Sequence, residues 1–270
     1  MIITAENYFD NESNMEYMGF SQYKQFRACE AMAIATLRGD WKQETSDAML
    51  QGSYVHAWNE GQLDQFVARH PEMFKKNGEF KLAFENCNKI IEVIKEDPMF
   101  MAVLKGEKEK IFVAEMFGTK WKILIDSYNS EKKRFADLKI LRQIKDKFWN
   151  AELQLYENVF EYRGYFAQIA IYAEIERIAN NRPKDDYFEP FIAVATKEKY
   201  PDKAIISFVS EHENYSDFIR CQLAAIEYNM DRILEVKQGL AKPNRCEECD
   251  YCKSTKKLTG TLHYSSLALY

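Results

Sequence analysis

The sequence predicts an α+β domain: helices first, then three adjacent strands, a helix, two further strands and a closing helix. Three observations predict it. Apolar residues recur at helical spacing through roughly the first hundred positions. From Ile111 the texture changes to β-branched and aromatic runs, IFVAEMF, WKILIDSY and RFADLKIL, the last two split by the polar turn NSEKK. These runs adjoin without crossover helices, so they pair as sequential neighbours rather than as a doubly wound sheet.

Taken in order, Ser21 precedes a helical stretch, SQYKQFRACEAMAIATLRG, and Ser46 caps a second, SDAMLQGSYVHAWNEGQLDQFVARH. A third helix runs from about Leu82 to Leu104, with a break at Pro98. After the three strands comes a helical region from near Leu141, then an amphipathic helix from about Arg163 to Asn180. PFIAVAT and AIISFVS read as strands, and a long helix covers about Tyr215 to Gly239. The tail is basic and rich in cysteine. No repeat or low-complexity linker interrupts the chain. Residues 1–270 therefore read as one domain, with a helical part at 1–105, a core at 106–212 and a helix with a cysteine-rich tail at 213–270.

Of the 270 residues, 46% are hydrophobic, enough for a sizeable core. The longest apolar runs fall well short of the ~18 residues a membrane span needs, so no membrane association is expected. The start, MIITAENYFDNESNMEY, is polar and acidic and unlike a secretory signal. With six cysteines, that points to a reducing, cytoplasmic setting. The net charge of −5 is not that of a strongly basic nucleic-acid binder, but DNA responds to local patches. Such patches occur at Lys120 with Lys122, at Lys132-Lys133-Arg134, from Lys139 to Lys147 and from Lys253 to Lys257.

In Asp137-Leu138-Lys139 the strand period of two places Asp137 and Lys139 on one face. Asp126 ends the preceding strand. A reversal around Glu131 and Lys132 sets it across from Asp137. Two carboxylates with a backbone carbonyl offer hard oxygen ligands for Mg²⁺ or Mn²⁺. Such an ion polarises a phosphoryl oxygen and yields hydroxide from water, and a second ion can arrive with substrate. Lys139 would orient the water or neutralise charge on phosphorus. The spacing alone is common on solvated strands, so its context has to carry the reading.

His56 lies four residues after Gly52, on one helix face, and could offer its imidazole to a metal or to substrate; a hydrogen-bonded core histidine is the plainer alternative. Gln168 and Tyr172 are also four apart, among apolar neighbours, where a glutamine needs partners. Arg142 and Lys145 share a face if a helix begins near Leu141. There they either hold the DNA backbone or form a solvated charged face.

These residues in this order resemble the PD-(D/E)xK nuclease superfamily, most closely its RecB-like and RecE-like branch, including phage-type exonucleases. That branch carries a histidine on an early helix, an Asp ending the second strand, Asp/Glu-x-Lys on the third, and Gln-x-x-x-Tyr on the next helix. Those roles fall here on His56, Asp126, Asp137, Lys139, Gln168 and Tyr172. Many relatives carry Glu where this chain has Asp137. Glu115, on the first strand, has no firm counterpart and reads as structural or as a support behind the ligands. The resemblance implies a restriction-endonuclease-like αβββαβ core with added N- and C-terminal helices. It implies His56, Asp126 and Asp137 as metal ligands, and Asp126, Asp137, Lys139, Gln168 and Tyr172 as catalytic. The implied activity is Mg²⁺- or Mn²⁺-dependent exonucleolytic hydrolysis at duplex DNA ends, by a homo-oligomeric ring working in phage-type recombination beside a single-strand annealing protein. The alternative is a non-catalytic nucleic-acid-binding module with a structural metal site.

Cys246-x-x-Cys249-x-x-Cys252 is a spacing that binds metal ions or iron–sulfur clusters, and Cys29 is the candidate fourth ligand. Some RecB-like nucleases hold [4Fe–4S] with one early and three late cysteines, although they space the late three less evenly. Zn²⁺ on four thiolates competes with that reading, as do reduced thiols without metal. Cys87 and Cys221 read as ordinary core residues.

Overall fold

The computed structural model describes residues 1–42, 44, 46–151, 153–209, 214–261 and 263–265. The helices expected before the sheet are shorter and more numerous than the sequence suggested. The chain begins with α1 (Asn11–Glu16), a two-residue strand β1 (Tyr17–Met18), α2 (Phe20–Ala28) and α3 (Glu30–Arg38). The single stretch expected from Ser21 breaks at Cys29, which is extended at φ −165°, and whose Sγ accepts the N–H of Met32 to start α3. Ser46 does cap α4 (Asp47–Asn59), accepting the Met49 N–H at 3.3 Å. That stretch then stops at Gly61, left-handed at φ +74°, and resumes as α5 (Leu63–Arg69). α6 (Leu82–Lys95) and α7 (Pro98–Val103) are separated at Pro98, as its missing N–H requires, and Asp97 caps α7 by accepting the Phe100 N–H at 2.9 Å.

The sheet follows: β2 (Glu107–Met116), β3 (Thr119–Asn129) and β4 (Arg134–Leu141), consecutive and antiparallel. The helical region expected after Leu141 is instead a turn and a hairpin, β5 (Lys147–Asn150) with β6 (Leu155–Asn158). The run KFWN is aromatic and the return strand LYEN matches it, a pairing that polar neighbours at 141–146 obscure. Then come α8 (Val159–Tyr162) and α9 (Tyr165–Ala179). β7 (Glu189–Thr196) runs parallel to β4, and β8 (Lys203–Ser207) antiparallel to β7. The last position of the strand expected over 204–210 lies outside the described residues. α10 (Tyr215–Lys237) and α11 (Asp250–Ser254) close the chain. Among the described residues no helix is long and apolar enough to cross a membrane.

Strand alternation divides the core in two. Phe135, Ile192 and Val194 join Trp121, Ile123 and Ile125 in one cluster, against α2, α3, α9 and α10. Ala136, Leu138, Ala193 and Ala195 face the other way, against α4, α6 and α7. Both faces of the sheet are thus covered by helices. Gly164, at φ +72°, lets α9 start hard against α2: a Cβ there would stand 3.3 Å from Phe20.

One feature of the sheet positions the two aspartates. β3 pairs along its length with β2, but its opposite edge changes partner. β1 takes it in parallel at Lys120 and Trp121, and β4 antiparallel from Ser127 to Asn129. Among the described residues no strand pairs with positions 122–126 on that edge, so the sheet is parted there.

Candidate active site

The parting exposes the two aspartates. Asp126 is not the end of β3, as the sequence suggested, but lies three residues inside it, just past the last β3–β4 pair, Ser127↔Ala136. Its Oδ2 accepts the N–H of Leu138 at 2.7 Å, replacing a ladder bond with a side chain. Its Oδ1 stands 3.4 Å from His56 Nδ1 on α4. Asp137, buried on β4, is held between two groups: Lys139 Nζ is 2.6 Å from Oδ2, and Gln168 Nε2 donates to Oδ1 at 3.1 Å. Gln168 in turn hydrogen-bonds Tyr172, one turn along α9. Lys139 Nζ also sits 4.9 Å from the centre of the Tyr165 ring. The structure therefore brings His56, Asp126, Asp137, Lys139, Gln168 and Tyr172 around one cavity of about 300 Å³.

The electrostatics set the two carboxylates apart. Burial pushes both up, but His56, Lys139 and the Leu138 N–H outweigh it at Asp126 and hold that carboxyl below its ordinary range. At Asp137 burial wins, opposed by Lys139 and reinforced by Asp126, and its carboxyl is raised. Burial would lower Lys139, yet Asp137 and Asp126 raise it, so the ammonium stays protonated at neutral pH. His56 is likewise raised, Asp126 overcoming burial.

The donor set fits a small divalent cation. Two carboxylates and an imidazole are ligands that Mg²⁺ or Mn²⁺ accepts. Among the described residues Asp137 Oδ2 is buried and has no hydrogen-bond partner beyond the Lys139 ion pair, which leaves it an acceptor for a ligand.

Several groups at this site escaped the sequence reading. Lys122 is buried on β3, sharing a face with Leu124 and Asp126 at the strand period. Its ammonium is met by the Tyr8 carbonyl and by Ser13 Oγ at 2.8 Å, and burial pulls its pKa down to about 8. Tyr8 and Phe9, from the start of the chain, line the same cavity. Glu60, one turn beyond His56, is pushed up to about 7 by burial and by Glu109, with His56 opposing. Glu109 is left-handed at φ 49°, and the β2–β3 register is the same on either side of it, Lys108↔Ser127 and Lys110↔Ile125. The alternation of Lys122, Leu124 and Asp126 was a usable signal for Lys122; nothing local announced Tyr8.

Other expected residues lie elsewhere. Arg142 and Lys145 are on the turn before β5, not on a helix, because the chain turns straight into the hairpin. Arg142 is occupied by Asp146, donating at 3.0 and 2.6 Å. Glu115 pairs in register with Lys120 at the far end of β2, away from the aspartates. Cys87 is buried as expected, but Cys221 is exposed on α10, because it falls on the solvent side of that helix. Cys29, Cys246, Cys249 and Cys252 do converge, with all four Sγ atoms within 4.8 Å of one another; Cys29 and Cys252 are 3.6 Å apart, Cys246 and Cys252 3.9 Å. Backbone N–H groups point at three of these sulfurs, from Met32 to Cys29, Glu248 and Cys249 to Cys246, and Cys252 to Cys249.

A parted mixed sheet with this cluster at the gap is a PDDEXK-like nuclease fold. Residues 19–255 match the family described as "PDDEXK-like domain of unknown function (DUF3799)", and the chain belongs to that family. It is 38% identical to a candidate exonuclease from Eubacterium rectale, whose crystal structure superposes with a TM-score of 0.90 over 100% of this chain and 99% of that one. A structure of SSO0001 aligns at 14% identity over 86% of this chain and 91% of that one, with a TM-score of 0.29. No curated protein matches the sequence.

Proposed function

We propose that this protein is a divalent-metal-dependent deoxyribonuclease that hydrolyses phosphodiester bonds as an exonuclease at duplex ends. The observation that carries this is the pair of carboxylates at the sheet opening, Asp126 and Asp137, with Lys139 ion-paired to the second. Its relationship to the Eubacterium rectale protein adds the exonuclease reading.

Asp126, Asp137 and His56 would hold the cation, which supplies the positive charge that polarises the scissile phosphoryl group and acidifies water. Lys139 remains an ammonium, so its part is to hold the attacking water and offset negative charge on the pentacovalent phosphorus rather than to accept a proton. Hydrolysis adds the water oxygen to phosphorus, breaks the bond to the leaving sugar oxygen and delivers a proton to that oxygen. Gln168 fixes the rotation of Asp137, and Tyr172 fixes Gln168. Digestion of linear duplex DNA with Mg²⁺ or Mn²⁺, against a closed circle as control, tests the reading. Loss of the linear DNA alone is the expected result, and no digestion with either ion would refute it. The ring assembly and annealing partner belong to the same proposal, and sedimentation with and without DNA checks the first.

The cysteine centre, in our reading, holds one Zn²⁺. At a Zn–S bond of about 2.3 Å, a tetrahedral ion sets its sulfurs ~3.8 Å apart, close to the 3.6 and 3.9 Å found here. A four-iron cubane has an iron under each sulfur and spreads them wider.

A further inference from the structure

We propose that the β5–β6 hairpin is a nucleobase-stacking platform that holds the single-stranded end of the substrate where it leaves the catalytic cleft. This rests on the nuclease reading and extends it to the path of the strand.

The hairpin is spliced between the strand that carries Lys139 and the helix that carries Gln168, and it forms its own two-stranded sheet. Its two faces differ. Phe148 on the inner face packs on the main core, stacked on Tyr162 with ring centres 4.4 Å apart and planes at 8°, and the Arg163 guanidinium lies 5.4 Å from the Phe148 ring. This anchors the hairpin. The outer face presents the cross-strand pair Trp149↔Tyr156, with rings 5.2 Å apart at 65°. Such a pair supports a hairpin by itself. Here, however, Trp149 is still 48% exposed and Tyr156 67%. Two large ring surfaces held rigidly in water are what successive bases stack on.

Charge picks the occupant. Lys147 shares the outer face with Trp149 and Tyr156 and is exposed. From the hairpin, cations lead back into the cleft. Arg163 stands over Phe148, Lys24 Nζ donates to the Arg163 carbonyl at 3.0 Å, and Lys139 lies beyond; burial depresses Lys24, and Lys139 and Arg163 add to it. Among the described residues of the hairpin and α8, Glu157 falls on the inner face opposite Phe148, and Glu161 accepts from Asn158. Exposed rings with Lys147 beside them, on a hairpin whose anchored face meets a cationic run ending at the candidate active site, suit a polyanion with flat bases better than an apolar protein surface.

The test measures binding of a fluorescently labelled duplex with a single-stranded overhang, with Ca²⁺ replacing the catalytic ion so that cleavage does not intervene. Trp149→Ala with Tyr156→Ala should weaken binding of the overhang duplex by roughly 10–100-fold and that of a blunt duplex far less. Trp149→Phe with Tyr156→Phe, which keeps both rings, should restore the affinity. Independently of any destabilised variant, the overhang should quench tryptophan fluorescence in the natural protein and quench it less in Trp149→Phe. Unaltered overhang affinity in the double alanine variant, or equal quenching with and without Trp149, overturns the platform. So does a double alanine variant that changes only its sedimentation, which makes the hairpin a contact between copies of the chain. Binding through the hairpin by a protein that cleaves no DNA with Mg²⁺ or Mn²⁺ supports the platform and overturns the nuclease reading.

Discussion

Asp126 on β3 takes the backbone N–H of Leu138 on β4 at 2.7 Å, at the point where the ladder between the two strands stops. One oxygen of the carboxylate thereby closes the sheet while the other faces His56. A structural bond and a candidate metal ligand share a single side chain. Asp126→Asn keeps an acceptor for the N–H but loses the charge, so it should fold and fail to digest DNA. Asp126→Ala should lose activity and stability together. Thermal melts beside nuclease assays separate the two.

Asp137→Ala is expected to abolish digestion, and Lys139→Met to slow it on the order of 10²–10³-fold, the range for removing one group that stabilises transition-state charge. Gel assays on linear duplex DNA give the rates. Activity equal to wild type in either variant would remove these residues from the chemistry.

Gln168 touches Asp137 rather than the cation site itself, so its loss should show first in metal affinity. Gln168→Ala should weaken Mn²⁺ binding by roughly 10–100-fold, as loss of a supporting hydrogen bond does elsewhere. Calorimetric titration of Mn²⁺ reads this without DNA. An unaltered Mn²⁺ affinity would make Gln168 a packing residue only.

Glu176 is fully buried on α9 and accepts from Tyr128 at 2.8 Å, from Asn180 at 2.9 Å and from Arg182. Replacing it with Ala strands the Arg182 charge, 15% exposed. The expected cost is about 3–5 kcal/mol, measured by urea unfolding at neutral pH. Burial raises its carboxyl, which Tyr128 and Arg182 oppose.

Glu60 gives a pH signature. Its folded pKa of about 7 lies above its ordinary value of 4.5. The folded state therefore binds the extra proton between those limits, and stability falls as pH rises through them. Glu60→Gln should raise the melting temperature at pH 8 and change it little at pH 4, below both values. An equal shift at both would assign the effect to packing.

Metal analysis settles the cysteine centre. One zinc per chain and a colourless protein are expected, with Cys252→Ser losing the zinc and melting lower. Brown protein carrying iron and sulfide would replace the single ion with a cluster.

The parts of this site that were legible in the sequence share a short period. Asp137-x-Lys139 follows from strand alternation, and Gln168-x-x-x-Tyr172 from one helical turn; both pairs lie as those periods place them. The parts that were hidden depend on distant chain. Lys122 looked like one member of a surface patch, because its partners, the Tyr8 carbonyl and Ser13, are more than a hundred residues away. The break at Cys29 went unseen because propensity favours helix through it, while the convergence with Cys246, Cys249 and Cys252 is a tertiary fact. The β5–β6 hairpin is not legible in the sequence because its strands are four residues each, too short for a period to show.

The gap along one edge of β3 has a further consequence. The groups around it come from α4, β3, β4 and α9, with β1 and the first residues of the chain beside them; β3 and β4 are joined by a short turn, but every other contributor reaches the gap from distant chain. Such an arrangement cannot be assembled piecemeal. Partial unfolding of any one contributor, even a two-residue strand at the start of the chain, dismantles the reaction centre before it dismantles the core. Catalysis in this protein would then be a stricter gauge of native structure than circular dichroism or compactness, failing while most of the helix and sheet is still present.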